Sequence, residues 1–301
     1  MPLFYPYQPK AILGVKGEDA AGFLQGQFTN ELRQAPGSAV YGLFLNQKGK
    51  VVADAQVLKL ADNSWLVASM TSSAATIRHR LEEYIIADDV MVQDETPAMH
   101  GMAILGADVA QLRSIGMGEL PARGRFGQSG ERLAFVGRRT RAENYEILGP
   151  EKPLRELREE LKSRDWLEMT AGEIEYLRIK EGIPAIPEDV GPADLPNEGG
   201  LDEEAISYTK GCYLGQEIMA RLKNMGQVRR QLFVLRGQGS TPGVGAALFQ
   251  EDKKLGEIRS IAAQGNEFAA LAMVSLLNLD RSAGLSLAPG SPPTLMISSR
   301  E

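Results

Sequence analysis

Residues 210–217 read Lys210-Gly211-Cys212-Tyr213-Leu214-Gly215-Gln216-Glu217, and helical spacing continues from Ile218 to Leu222 with Arg221 in the same run. Two glycines give the backbone freedom for a close approach, and the cysteine lies between them, a few residues ahead of a helix start. A thiol near a lysine and the positive end of a helix is expected to ionise below its ordinary value, which would make Cys212 a nucleophile or redox thiol. The opposite reading is a buried, inert cysteine, the commoner fate of a lone Cys. Cys212, His79 and His100 are the only Cys and His residues in the chain. A structural zinc site or a self-held iron-sulfur cluster takes about four such ligands, so no metal is expected to be bound by the chain alone. A Ser-His-Asp triad has equally little to build on.

Upstream of the octapeptide, the stretch from Gly182 to Gly200 holds four prolines and four glycines. It reads as a long irregular connection, which inside a globular protein is usually functional or disordered. Before it, Ala171 to Lys180 carries Ile174, Leu177 and Ile179 at helical spacing. Residues 101–168 read as strand (Met102 to Leu105), helix (Ala107 to Ile115), strand (Arg132 to Gly137), strand (Tyr145 to Leu148), helix (Pro153 to Lys162) and strand (Trp166 to Glu168). That order is the split βαβ, or ferredoxin-like, unit. Leu154, Leu157 and Leu161, with Pro153 in the first turn, mark its second helix.

Nearer the amino terminus, Ala20, Phe23, Leu24 and Phe28 predict a helix buried on one face within Gly17 to Leu32. Tyr41 to Leu45 and Val51 to Leu60 read as a hairpin turning at Asn46-Gln47-Lys48-Gly49. A strand (Trp65 to Met70), a helix (Thr71 to Ile86) and a strand (Val90 to Val92) follow. After Arg230, short apolar runs separated by Gly, Pro, Ser and Asp suggest a small all-β domain, a partly closed barrel.

Length and composition fit this picture. A chain of 301 residues suggests two or three domains, and 43% apolar with 24% charged residues is ordinary for a globular protein. With 33 basic and 39 acidic residues the net charge of -6 opposes a phosphate backbone, so direct nucleic-acid binding is not expected. The local basic runs Arg138, Arg139, Arg141 and Arg221, Lys223, Arg229, Arg230 read first as solvated faces. No amino-terminal basic-then-apolar segment and no membrane-length apolar run is present, which predicts a cytoplasmic protein with a free thiol.

The octapeptide KGCYLGQE resembles the signature of the YgfZ family, which is related to the T-protein of glycine cleavage. The stretches GEDAAGFLQGQFTNEL, LFLNQKGKVVADAQV and YLRIKEGIP, the last leading into LPNEGGLDEEAISYTKGCYLGQE, are similar to family segments in the same order. The likeness runs from about residue 14 to 235. It implies an α+β, three-domain T-protein-like ring with ferredoxin-like α/β units and a small C-terminal β-barrel. The expected divisions are 1–50 with about 145–230 for the folate-binding domain, about 51–144 for a ferredoxin-like domain, and 231–301 for the barrel.

The resemblance also implies tetrahydrofolate or a derivative as cofactor, in a cleft between the first two domains. Iron-sulfur enzymes or their assembly machinery are the implied partners, with a link to tRNA modification. Asn46, Gly49 and Asp54 fall where the T-protein has its Asn-x-x-Gly-Gly-x-x-Asp-Asp run, and Asp54 matches its catalytic aspartate, a carboxylate suited to general acid-base work on folate. Lys50 and Ala53 depart from that run. Asp54 and Cys212 are thus the catalytic candidates; Asn46, Asp54, Arg178, Glu181, Lys210, Gln216, Glu217 and Arg221 are the folate-binding candidates. Lys180 stands where the family has an acidic residue for the pterin's donor edge, and Glu181 points about 100° away from it on a helix. RTRAENYEI (139–147) lacks the T-protein's Gly-Tyr-Thr-Gly core, and the T-protein has no cysteine at the position of Cys212; both differences favour the YgfZ branch. An aminomethyltransferase acting on tetrahydrofolate is the alternative.

Overall fold

Side chains on a strand alternate between its two faces, and in this chain both faces are apolar because each sheet is covered twice. In the strand Ala11–Lys16, Ala11, Leu13 and Val15 pack with Phe23 and Leu24 of the helix Ala20–Gln27 and with Ile77 and Leu81 of the helix Ala74–Glu82. Ile12 points the other way, into a core shared with Leu133, Phe135 and Leu148 of a second sheet. That second sheet carries Phe4, Met102, Ile104, Tyr145 and Ile147 on its far face, against Leu112 and against Leu154, Leu157 and Leu161 of the helix Glu151–Ser163. The result is four layers, helices outside and two sheets face to face within. The computed structural model describes residues 1–116 and 121–298.

The first sheet is antiparallel, in the order Ala39–Leu45, Val51–Ala61, Ser64–Ser69, Ala11–Lys16, Met91–Asp94. The second runs Leu167–Glu168, Leu3–Tyr7, His100–Leu105, Asn144–Gly149, Arg132–Val136, Phe126–Ser129. The split βαβ pattern read from residues 101–168 is present, with two additions: the amino-terminal strand Leu3–Tyr7 is inserted between its first and last strands, and Phe126–Ser129 joins at the edge beside Arg132–Val136. The expected boundaries near residues 50 and 144 do not follow the sheets. Ala39–Leu45 pairs with Val51–Ala61 across the first, and the strand Asn144–Gly149, paired to neighbours on both sides, spans the second. Hairpin pairing holds these segments together across the divisions that the resemblance implied.

The helix Ala171–Lys180 begins with a reciprocal cap: Thr170 Oγ1 accepts from the Glu173 N–H at 3.3 Å, and Glu173 Oε2 accepts from the Thr170 N–H at 2.7 Å. Ile174 packs on Ala103 and Leu105 of the second sheet, while Tyr176 and Ile179 join a different core. That core includes Leu43, Leu45 and Val51 from the first sheet and Leu232, Val234, Leu271 and Met273 from a third. The Pro/Gly-rich connection supplies its Ile186 and Val190, so it is packed into the interior rather than looped out. The third sheet runs Ala247–Gln250, Lys253–Gln264, Glu267–Ser275, Arg230–Gln238, Met296–Ser298. Bridges Phe249–Ser286 and Leu285–Leu295 bring its two edges toward each other and half-close it.

Candidate functional site

The face of Val51–Ala61 that carries Leu58 also carries Asp54 and Gln56, so these polar side chains turn inward between the first two sheets. Asp54 is buried rather than solvent-facing. Its Oδ1 accepts from Ser69 Oγ at 2.8 Å, Thr71 Oγ1 at 3.0 Å and Ser72 Oγ at 2.7 Å. Among the described residues its Oδ2 has a single, long donor, the Tyr41 hydroxyl at 3.3 Å. One oxygen is therefore saturated and the other open.

The opposite wall comes from the second sheet. Glu146 lies in Asn144–Gly149, a strand buried along its whole length, and shares a face with Leu148. The Tyr7 hydroxyl donates to Glu146 Oε2 at 2.5 Å and Arg139 Nε donates to Oε1 at 2.7 Å. Burial, reinforced by Glu146, pushes the Tyr7 hydroxyl well above its usual pKa. Burial works against the Arg139 cation, but Glu146 and Tyr7 outweigh it and hold the guanidinium firmly charged. Arg139 Nη2 is buried and has no acceptor among the described residues.

Tyr41, Asp54, Ser69, Thr71, Arg139 and Glu146 line one cleft, together with Met70, Phe135 and Pro184. Arg178 closes one side, held by Glu175, by Asp189 at 2.7 Å and by Ser260 Oγ at 3.1 Å. Gly137, Arg138, Ile183 and Pro184 also line a neighbouring chamber, together with Arg123, Arg141 and Glu204. Arg138 stacks on the Tyr41 ring at 3.5 Å and pairs with Glu204 at 3.1 Å. Chemically, the cleft offers apolar walls, two carboxylates and a buried cation donor; the neighbouring chamber offers arginines.

The expected site residues divide. Asp54 and Arg178 line the cleft; Asn46, Glu181, Lys210, Cys212, Gln216, Glu217 and Arg221 do not. Asn46 builds the hairpin turn instead, its Oδ1 accepting from the N–H groups of Lys48 at 2.9 Å and Lys50 at 3.1 Å. Glu181 accepts from the Arg141 N–H, and Lys180 is exposed. Lys210 is buried, its Nζ donating to the carbonyls of Gln25, Phe28 and Asn30 at 2.8, 2.7 and 2.9 Å. Its charge is committed to the end of the helix Ala20–Gln27, not offered to a ligand. Burial lowers its pKa to about 8.

Cys212 is exposed, four residues ahead of the helix Gln216–Met225, whose cap is Gly215 with φ 86°. It is exposed, so the expectation of a buried cysteine is corrected, and it does not line the cleft described above. Gln216 Nε2 reaches the Lys210 carbonyl at 3.3 Å, while Glu217 and Arg221 face solvent. Among the described residues no group of three or more His, Cys, Asp or Glu is arranged to hold a metal, and no helix is long and apolar enough to cross a membrane.

Tyr41, Arg138, Arg139 and Glu146 in the cleft, and Tyr7 behind Glu146, were not expected in the site. A glutamate inside an otherwise apolar strand was the available signal for Glu146, since a strand covered on both faces must bury it.

The family model of the GCVT N-terminal domain matches residues 11–114. A crystal structure of glycine cleavage system aminomethyltransferase T from Bartonella henselae superposes with a TM-score of 0.83, covering 99% of this chain and 85% of that one at 18% identity, a likeness of fold. The chain is 30% identical over 284 residues to the human iron-sulfur cluster assembly factor IBA57, mitochondrial, covering 87% of this chain and 75% of that protein. It is 30% identical over 231 residues to the tRNA-modifying protein YgfZ of Edwardsiella ictaluri, covering 75% and 68% respectively. On that extent of likeness, the chain belongs to the family of YgfZ and IBA57.

Proposed function

We propose that this protein is a folate-binding accessory factor that supports iron-sulfur enzyme assembly or repair and, through it, tRNA modification. The roles in the names of its relatives support the second half of this reading. The first half is carried by one observation: the cleft between the two sheets pairs the open Oδ2 of Asp54 with the unpartnered Nη2 of Arg139. A buried polar atom without a partner is costly, and a ligand offering both a donor and an acceptor would relieve both. A reduced pterin is such a ligand, flat enough for walls of Tyr41, Met70 and Phe135, with N–H groups for Asp54 or Glu146 and a carbonyl for Arg139. When bound, the folate would supply a one-carbon carrier; the chain's own part is to hold and orient its head. Asp54, fixed by three hydroxyl donors, would hold or accept a proton at Oδ2.

Titration calorimetry with tetrahydrofolate tests the reading. Binding to the unaltered chain is expected, with stabilisation of about 2.7 kcal/mol at a hundredfold excess over Kd. Asp54→Asn removes a charged acceptor while keeping the shape. It should weaken binding about 10- to 100-fold, the worth of a hydrogen bond to a charged group at about 1.5–3 kcal/mol. Absence of heat and of a thermal shift with the unaltered chain at millimolar ligand would overturn it.

A further inference from the structure

Arg138, Arg139 and Arg178 are largely buried, and each has a carboxylate partner: Glu204, Glu146 and Asp189 respectively. Arg80, in the helix Ala74–Glu82, is only 4% exposed, and none of its acceptors among the described residues is a carboxylate. Its Nε and Nη2 donate to the Leu45 carbonyl at 3.1 and 3.0 Å, and its Nη1 donates to Gln27 Oε1 at 2.9 Å. These bonds use three of the five N–H groups of the guanidinium. One N–H on each terminal nitrogen is left without an acceptor among the described residues. Burial lowers the pKa of Arg80, and Tyr84 and Glu83 offset this only in part. Buried charges are normally paired, because an uncompensated one is costly.

Arg80 is nevertheless not sealed in. It lines an open groove whose walls are the hairpin turn, with Gln47 and Lys48, and the helix Ala74–Glu82 with its end, carrying Thr76, His79 and Glu83. Those five side chains are exposed, and Glu83 is the one carboxylate among the described residues of the lining. We infer that this groove is an anion site for a phosphate group, borne by a nucleotide or by an RNA strand, with Arg80 as its buried cation. The free N–H on each terminal nitrogen suits two oxygens of one phosphate, since the planar guanidinium meets such groups at two points. Lys48 adds a second cation, and Thr76 and His79 add further polar atoms for the remaining oxygens. The groove shares no lining residue with the cleft between the sheets, so the site does not depend on the folate reading. Its hairpin turn also packs against Gly215 and Ile218, just past Cys212, so a phosphate held here is a neighbour of the cysteine segment.

Titration calorimetry of the full chain at low salt, with pyrophosphate, adenosine diphosphate and hexauridylate as probes, decides the matter. Pyrophosphate should bind the unaltered chain. Lys48→Ala should weaken it about two- to fivefold, the worth of an exposed charge pair. Glu83→Gln should tighten it by a similar factor, because a like charge leaves the rim. Arg80→Lys keeps the charge but loses the planar fork and should weaken binding by about tenfold or more. Lys48 and Glu83 are exposed, so their variants carry the test even if a melting curve shows that Arg80→Lys does not fold. The tighter of the other two probes names the source of the phosphate, adenosine diphosphate for a nucleotide and hexauridylate for a strand. Failure of all three probes to bind the unaltered chain would overturn the inference. Binding that neither Lys48→Ala nor Glu83→Gln alters would overturn its placement in this groove.

Discussion

Lys210→Met isolates what the first residue of the cysteine octapeptide does. The side chains are of similar length, so the change removes an ammonium and leaves the carbonyls of Gln25, Phe28 and Asn30 without the donor that lies 2.7–2.9 Å from them. Hydrogen bonds to a charged group are worth about 1.5–3 kcal/mol each, but the buried ammonium itself is poorly solvated, as its pKa of about 8 reflects. Setting three such bonds against that desolvation gives an expected loss of about 3 kcal/mol, or a fall in Tm of about 6–12 °C at about 2–4 °C per kcal/mol. The pH dependence has a defined sign. The native pKa lies below the unfolded value of about 10.4, so between these values the unfolded chain binds the extra proton and stability rises with pH. The advantage of the unaltered chain over Lys210→Met should therefore widen from about pH 8 to about pH 10. Thermal melts across that range supply the measurement. A Tm within 1–2 °C of the unaltered chain, or an advantage that narrows as pH rises, would refute the assignment of Lys210 as a buried tie between the cysteine loop and the helix Ala20–Gln27.

Cys212→Ser should behave in the opposite way. Because the thiol is exposed and outside the cleft, stability should change by no more than about 0.5 kcal/mol and tetrahydrofolate affinity by less than twofold, yet the variant should fail to restore iron-sulfur enzyme activity in cells lacking the native protein. Full restoration would remove the cysteine from the function. Gly49→Val tests the seam between the hairpin turn and the helix after the cysteine: Gly49 has φ 69°, and a Cβ there would lie 2.9 Å from Ile218 Cβ and 3.0 Å from Met219 Cε. A loss of about 2–4 kcal/mol is expected from left-handed strain and crowding together, read by thermal melting; a neutral substitution would show that the seam yields.

The parts of the fold legible in the sequence are those whose cause is local. The helix Glu151–Ser163 announces itself through Leu154, Leu157 and Leu161, and the hairpin through Asn46 and Gly49, because each pattern is made by residues that end up touching. The strand Leu3–Tyr7 gave no such signal, since its place is fixed by partners at residues 101–105 and 167–168. The site follows the same division. Asp54 was found through its neighbours in the chain, but its surroundings depend on Tyr41 from the adjacent strand and on Ser69, Thr71 and Ser72 at and just past the end of Ser64–Ser69.

Arg138 and Arg139 were read as a solvated face because a run of charge near a chain turn usually is one. Their actual environments are set by Tyr41, Glu204 and Tyr7, all distant in sequence, and by Glu146 on the next strand. The octapeptide misled in the reverse sense. Its lysine, cysteine, glutamine and glutamate are contiguous, which suggested one site, yet the backbone turns at Gly215 and sends them to different surroundings: Lys210 into a cage of carbonyls, Gln216 back onto the loop, Cys212 and Glu217 into solvent. What unites them is the hairpin Ala39–Leu45/Val51–Ala61. Its turn seats Gly215 against the Asn46 carbonyl and Gly49, and its strands carry Tyr41 and Asp54 to the cleft. The loop of the exposed thiol and the cleft of the buried carboxylate thus share one hairpin, its turn packed against the loop and its strands carrying Tyr41 and Asp54.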